Sequence, residues 1–130
     1  MEPNIKNCTT AKTILFVDDD PVLREITPML LRDLGHQVLC ATDGYQAIEK
    51  FRQEKGAIDL VILDLVMPGL SGEETLERLR ALDGQVKVVI SSGVVQEKEA
   101  AGLIAQGCLA FLSKPYDIPK LQSILSRVFP

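Results

Sequence analysis

Several things are scarce in this 130-residue chain. It has three cysteines, Cys8, Cys40 and Cys108, with no C-x-x-C pair and no Cys/His cluster, which argues against a zinc site. Cys40 and Cys108 stand among apolar residues and read as reduced core or near-core thiols, whereas Cys8 lies in a polar leader. The single histidine, His36, follows Gly35 in a turn and is expected at the surface. Excess positive charge is missing too. A net charge of −4 and a pI near 5.0 remove the broad basic footprint of a domain that grips nucleic acid directly. Apolar runs reach only about four residues, far short of a membrane span, and MEPNIKNCTTAKT at the N-terminus has no hydrophobic stretch of a signal peptide. A soluble cytoplasmic domain is expected, with residues 1–11 as a flexible leader and 12–130 as one folded unit.

What is present is an alternation. Short apolar runs, TILFV (13–17), QVLCA (37–41), LVIL (60–63), KVVI (87–90) and AFL (110–112), recur at roughly 25-residue steps. They are too short for helices and too continuously apolar for a half-wet sheet, so they read as strands covered on both faces. Between them lie helical patterns: Val22, Ile26, Leu30 and Leu34; Ala47, Ile48 and Phe51; Leu76 and Leu79; and Leu121, Ile124, Leu125 and Val128. The segment around 96–106 is only weakly amphipathic and is expected to pack least firmly. Gly35, Gly56, Gly84 and Gly107 are placed to end helices, Asp20-Pro21 to start one, and Pro28 to kink the first. Five such units predict an α/β fold: a doubly wound, five-stranded parallel (βα)5 sheet with helices on both faces.

Polar residues collect where the strands end. The first runs into Asp18-Asp19-Asp20, the third into Asp64, the fourth into Ser91-Ser92 and the fifth toward Lys114. Ligands of open parallel sheets bind outside the carboxyl ends of the strands. If the strands are neighbours, several carboxylates, a hydroxyl and an ammonium share one pocket. Crowded carboxylates resist ionising unless a cation compensates, and a hard oxygen-loving ion, Mg²⁺, resolves the conflict. Such a set suits a phosphoryl group. Each residue alone has a plainer explanation: a solvated acidic turn, a helix cap at Asp20, a serine bonded to nearby backbone. Their complementarity at corresponding ends of successive units is what points to chemistry.

Four strings, ILFVDDDP (14–21), DLVILDLVMPGLSG (59–72), VVISSG (88–93) and FLSKPY (111–116), stand in an order and at a spacing that resembles the receiver domain of two-component response regulators, the CheY-like family. The resemblance spans residues 13–129. It implies the flavodoxin-like strand order 2-1-3-4-5. It implies Asp64 as phosphoacceptor, Asp18, Asp19 and Asp64 with the backbone carbonyl of Val66 as the Mg²⁺ set, and Lys114 as partner of a phosphoryl oxygen. Ser92 and Phe111 fall at its two switch positions, and Lys114-Pro115 at its cis peptide bond. The implied partners are a sensor histidine kinase or histidine phosphotransfer protein and an unidentified output partner, with a possible homodimer through the face of the fourth helix, fifth strand and fifth helix. The domain would not be an enzyme, although it would assist its own phosphorylation and dephosphorylation.

Three departures stand out. Phe111 lacks the hydroxyl of the tyrosine often found there, Pro28 interrupts the helix that docks the phosphodonor, and Val66 and Val94 place apolar groups where polar ones often flank the phosphoryl site. The two valines are expected to hinder attacking water. Glu73 and Glu74 suit a helix N-terminus and need no catalytic role. Other readings are a degenerate receiver that acts only as an interaction module, a flavodoxin-like FMN binder and a Mg²⁺-dependent phosphohydrolase. Asp18-Asp19-Asp20 would repel an FMN phosphate, and no substrate pocket beyond the acidic cleft is evident. With no output segment after Phe129, the sequence reads as a stand-alone receiver or one excised from a larger regulator or hybrid kinase, and SSG with KPYDIPKL resembles receivers attached to hybrid kinases somewhat more than those of transcription factors.

Overall fold

The computed structural model describes residues 11–54, 56–93 and 97–129. Five strands, β1 (Thr13–Val17), β2 (Gln37–Ala41), β3 (Leu60–Asp64), β4 (Val88–Ser92) and β5 (Ala110–Ser113), alternate with α1 (Pro21–Asp33), α2 (Gly44–Gln53), α3 (Gly72–Leu82), α4 (Glu97–Ala105) and α5 (Ile118–Val128). All four pairings are parallel and the order is 2-1-3-4-5. The strands extend slightly past the apolar runs, so that Asp64, Ser91 and Ser92 are themselves in the sheet.

Side chains alternate between two apolar layers. Ile14, Phe16, Leu60, Ile62, Val89, Ala110 and Leu112 face α1 and α5, and pack on Leu31, Leu121, Ile124, Leu125 and Val128. Leu15, Val17, Val61, Leu63, Val88 and Ile90 face the other way, toward Ala47, Phe51, Leu76, Leu79 and Leu103. Both layers exclude water, which is the main source of stability for such a sheet.

The helices start where the sequence provides acceptors. Asp20, Asp43, Ser71 and Asp117 cap α1, α2, α3 and α5. Ser71 and Glu74 complete a reciprocal capping box, at 3.1 and 3.2 Å, which accounts for Glu74 without catalysis. Helix α1 runs through Pro28 to Asp33.

Its inner face differs from the expected stripe. Leu30 and Leu34 do pack on the core, but Val22 and Ile26 are 59% and 45% exposed, and the buried residues are Thr27, Pro28 and Leu31. A strict four-residue repeat advances about 40° per step on a helix of 3.6 residues per turn. Over three steps, Val22 drifts about 120° from Leu34 and leaves the core face.

His36 is likewise not on the surface: it is 8% exposed. The Gly35 amide bonds to Arg32 O and the His36 amide to Leu31 O, a Schellman ending that folds His36 back over Leu31. Its Nδ1 accepts the Lys12 amide at 3.0 Å, and burial, with the charge of Lys12, lowers its pKa. Gly35, Gly56 and Gly107 have the positive φ expected at helix ends, whereas Gly84 does not, because Asp83 ends α3 in extended conformation. Cys40 is half-buried, Cys108 is buried, and both are free thiols. Among the described side chains of helix α4, Leu103 is the buried one.

Candidate functional site

The polar site continues the apolar rows of one sheet face. On β1 the series Ile14, Phe16 is prolonged to Asp18; on β3, Leu60, Ile62 to Asp64; on β5, Ala110, Leu112 to Lys114. The period of two therefore aims all three polar groups toward the α1/α5 side, at the carboxyl edge of neighbouring strands. Asp18 is fully buried and Asp64 is 4% exposed, while Asp19 stands open to solvent. One carboxylate oxygen from each of the three lies within 4.8 Å of the others.

Lys114 Nζ bridges the two buried acids, 3.0 Å from Asp18 Oδ2 and 3.4 Å from Asp64 Oδ2. The remaining Asp18 oxygen accepts the Asp20 amide at 2.9 Å, and Asp64 Oδ1 accepts the Val66 amide at 3.3 Å. Burial and then repulsion from Asp18 push the Asp64 pKa up to about 6, against the opposing pull of Lys114 and the Val66 amide. Burial alone would lower Lys114, but its contacts with Asp18 and Asp64 outweigh that and leave it raised. The backbone tethers continue past the strand ends, with Leu65 N–H donating to Ser91 O and Lys114 N–H to Ser92 O. The Lys114–Pro115 peptide bond is cis.

Two glycines fit the loop after Asp64 closely. A Cβ on Gly72 would stand 2.9 Å from Leu65 Cα and 3.1 Å from the Asp64 carbonyl, so α3 begins in direct contact with the end of β3. Gly69 has φ +80° and supports the Tyr45 ring, which a Cβ would approach to 3.3 Å. Val66 is 58% exposed at the mouth of the site. Val94, the other valine of the sequence reading, lies outside the described residues.

Ser92 and Phe111 belong to the opposite sheet face. Phe111 packs, half-buried, against the layer of Ile90 and Leu103, and among the described residues the Ser92 hydroxyl donates only to the neighbouring Gly93 carbonyl, at 3.2 Å. The structure thus brings together Asp18, Asp19, Asp64 and Lys114 and keeps Ser92 and Phe111 behind them. Sequence reasoning treated Ser91 as a backbone-bonding serine and passed over Thr27 and Tyr116. All three bury a hydroxyl on the Asp64 side, and the signal available was a polar residue in an otherwise apolar row.

Three carboxylates against one ammonium leave a negative excess that a small divalent cation would offset. All the donors are hard oxygens, and repulsion from Asp18 adds to burial in raising the Asp64 pKa. The residues present fit Mg²⁺.

A doubly wound parallel sheet with this acidic edge and a lysine is the arrangement of a two-component receiver domain. The chain belongs to the response regulator receiver domain family, whose model matches residues 14–126. It is 37% identical over 114 residues to the transcriptional regulatory protein ZraR of Klebsiella oxytoca, covering 88% of this chain and 25% of that protein. The chain therefore spans about a quarter of the length of that relative. It is 30% identical over 122 residues to sporulation initiation phosphotransferase F of Bacillus subtilis, covering 90% of this chain and 93% of that one. A chain of the CheX–CheY–BeF3–Mg²⁺ complex from Borrelia burgdorferi superposes with a TM-score of 0.86 at 26% identity, covering 92% and 90% of the two chains. No helix among the described residues is long and apolar enough to cross a membrane.

Proposed function

We propose that the chain is a working receiver, taking a phosphoryl group onto Asp64 from a histidine kinase or histidine phosphotransfer protein. The observation that carries this reading is the intact set of Asp18, Asp19, Asp64 and Lys114 with its unbalanced charge. The Asp64 carboxylate is the nucleophile. Lys114 faces it and neutralises charge on the incoming oxygens, while Asp18 holds the lysine from behind. Mg²⁺ held by Asp18, Asp19, Asp64 and the Val66 carbonyl would offset the remaining charge during transfer. The acyl phosphate is hydrolysed at the same place, and the exposed Val66 limits how water is oriented there. The domain assists this chemistry on itself and turns over no separate substrate.

The phosphodonor docks over α1. Val22, Ile26 and Met29 form an exposed apolar stripe that starts one turn from the carboxylates. Output leaves through α4, β5 and α5, where Ile104 and Leu109 are exposed and where two copies could pair. Ser92 and Phe111 connect the two regions: the Ser92 hydroxyl exchanges its weak local bond for a phosphoryl oxygen, and Phe111 moves into the space released. Phe111 has no hydroxyl, so its inward state rests on packing alone.

Intact mass after incubation with acetyl phosphate, with and without Mg²⁺ and beside Asp64→Ala, tests the reading. One added phosphoryl group that requires both Mg²⁺ and Asp64 is expected. No gain from acetyl phosphate or from a histidine phosphodonor would favour the interaction-only module.

A further inference from the structure

Among the described residues, the buried side-chain oxygens without a hydrogen-bond partner are Asp18 Oδ2, which has the Lys114 ammonium 3.0 Å away as an ion-pair partner, Thr27 Oγ1, Ser91 Oγ and the Tyr116 hydroxyl. Buried polar groups in native proteins are almost always satisfied, so orphans call for an explanation. These four share one place. Thr27 points inward from α1 at 1% exposure. Ser91, fully buried, is the register partner of Asp64 and lies on the same sheet face. Tyr116 follows the Lys114–Pro115 turn and packs on the α1/α5 layer. Both hydroxyls lie beside the phenol, outside hydrogen-bond geometry as the side chains stand, and the Asp18 carboxylate is near enough to oppose its ionisation.

The donor inventory gives this cluster a direction. Three hydroxyls each carry one proton to give, whereas Asp18 Oδ2 can only accept. Small side-chain shifts would satisfy all of them if the chain of bonds terminates on the carboxylate. Apolar residues would otherwise suit these positions, since Phe16, Ile62, Val89 and Leu112 fill the same layer.

We propose that Thr27, Ser91 and Tyr116 are positioning residues, their hydroxyls forming a hydrogen-bond chain that runs through the Tyr116 phenol toward Asp18 Oδ2 and holds that carboxylate in register with Lys114 and the Mg²⁺ site. This rests on the receiver reading of the acidic site. Asp18 is then gripped at both oxygens: by the Asp20 amide and Lys114 from the solvent edge, and by the hydroxyl chain from the core.

The test uses Tyr116→Phe, which keeps the ring, together with Ser91→Ala and the triple variant Thr27→Val/Ser91→Ala/Tyr116→Phe. The readouts are the Asp20 amide resonance of the metal-free protein, Mg²⁺ affinity by calorimetry, and the rate of phosphorylation by acetyl phosphate. Tyr116→Phe is expected to shift the Asp20 amide and weaken Mg²⁺ binding roughly 10-fold, as loss of a partner behind a metal ligand does. The triple variant is expected to lose no more than Tyr116→Phe alone, because the chain acts as one unit. An unshifted Asp20 amide with Mg²⁺ affinity within twofold of wild type, in both Tyr116→Phe and Ser91→Ala, would overturn the proposal, even if melting temperatures fell. A wild-type protein that bound no Mg²⁺ and took no phosphoryl group would instead remove the receiver reading, and this inference with it.

Discussion

The two faces of the sheet treat their last residues in opposite ways. Toward α1 and α5, Asp18, Asp64 and Lys114 are tied by ion pairs of 3.0 and 3.4 Å and by backbone amides. Toward α4, among the described residues, Ser92 has only its neighbour's carbonyl, Phe111 is half-buried, and Leu103 is the buried side chain of the helix above them. One face is built to hold charges still, and the other is built to yield. A switch needs both, since an acceptor that wandered would lose its alignment and a rigid output face could not respond.

The contrast breaks most severely at Lys114. Lys114→Gln removes the bridging cation and is expected to slow phosphorylation by acetyl phosphate on the order of 100-fold, measured by time-resolved intact mass. Asp64→Asn affects the rigid face in the other direction. Because the folded-state pKa of Asp64 is raised to about 6, ionising it opposes folding. Wild-type stability is therefore fullest below the unfolded carboxylate pKa, near 4, and falls as pH rises through about 6. At pH 7 without metal, Asp64→Asn is expected to be more stable by about 2–3 kcal/mol in urea unfolding. The gap should vanish near pH 3.5 and shrink when Mg²⁺ is added.

On the yielding face, Leu103→Ala should cost about 2 kcal/mol and speed amide exchange in α4, while Mg²⁺ affinity stays within twofold. Equal loosening of α1 would erase the contrast between the faces. Smallest is Val66→Asn, expected to alter the lifetime of the acyl phosphate roughly threefold by offering water a hydrogen-bonding neighbour. An unchanged lifetime would count against the apolar screen at residue 66.

Much of this was legible in the sequence where one local rule decides the outcome. Apolar runs of strand length predict a buried parallel sheet, and acids placed just after them fall at its carboxyl edge; the order 2-1-3-4-5, which groups Asp18, Asp19, Asp64 and Lys114, came from the family resemblance. Failures came where phase or tertiary closure decides. The Val22–Ile26 half of α1 turned outward because helical phase accumulates over several turns. His36 went inside because a Schellman ending and the Lys12 amide, 24 residues away, close over it. Thr27, Ser91 and Tyr116 come from a helix, a strand and a loop, and only the assembled fold shows that their hydroxyls share a neighbourhood.

The missing side chain at Gly72 has a mechanical consequence. With α3 starting against the carbonyl of Asp64 and the Gly72 amide bonded to Leu65 O, the acceptor strand and that helix behave as one solid lever. A push delivered at the acceptor is not absorbed on that side. In the receiver reading it would travel across the sheet instead, and the route of the signal would be set by the stiffness of what it does not pass through.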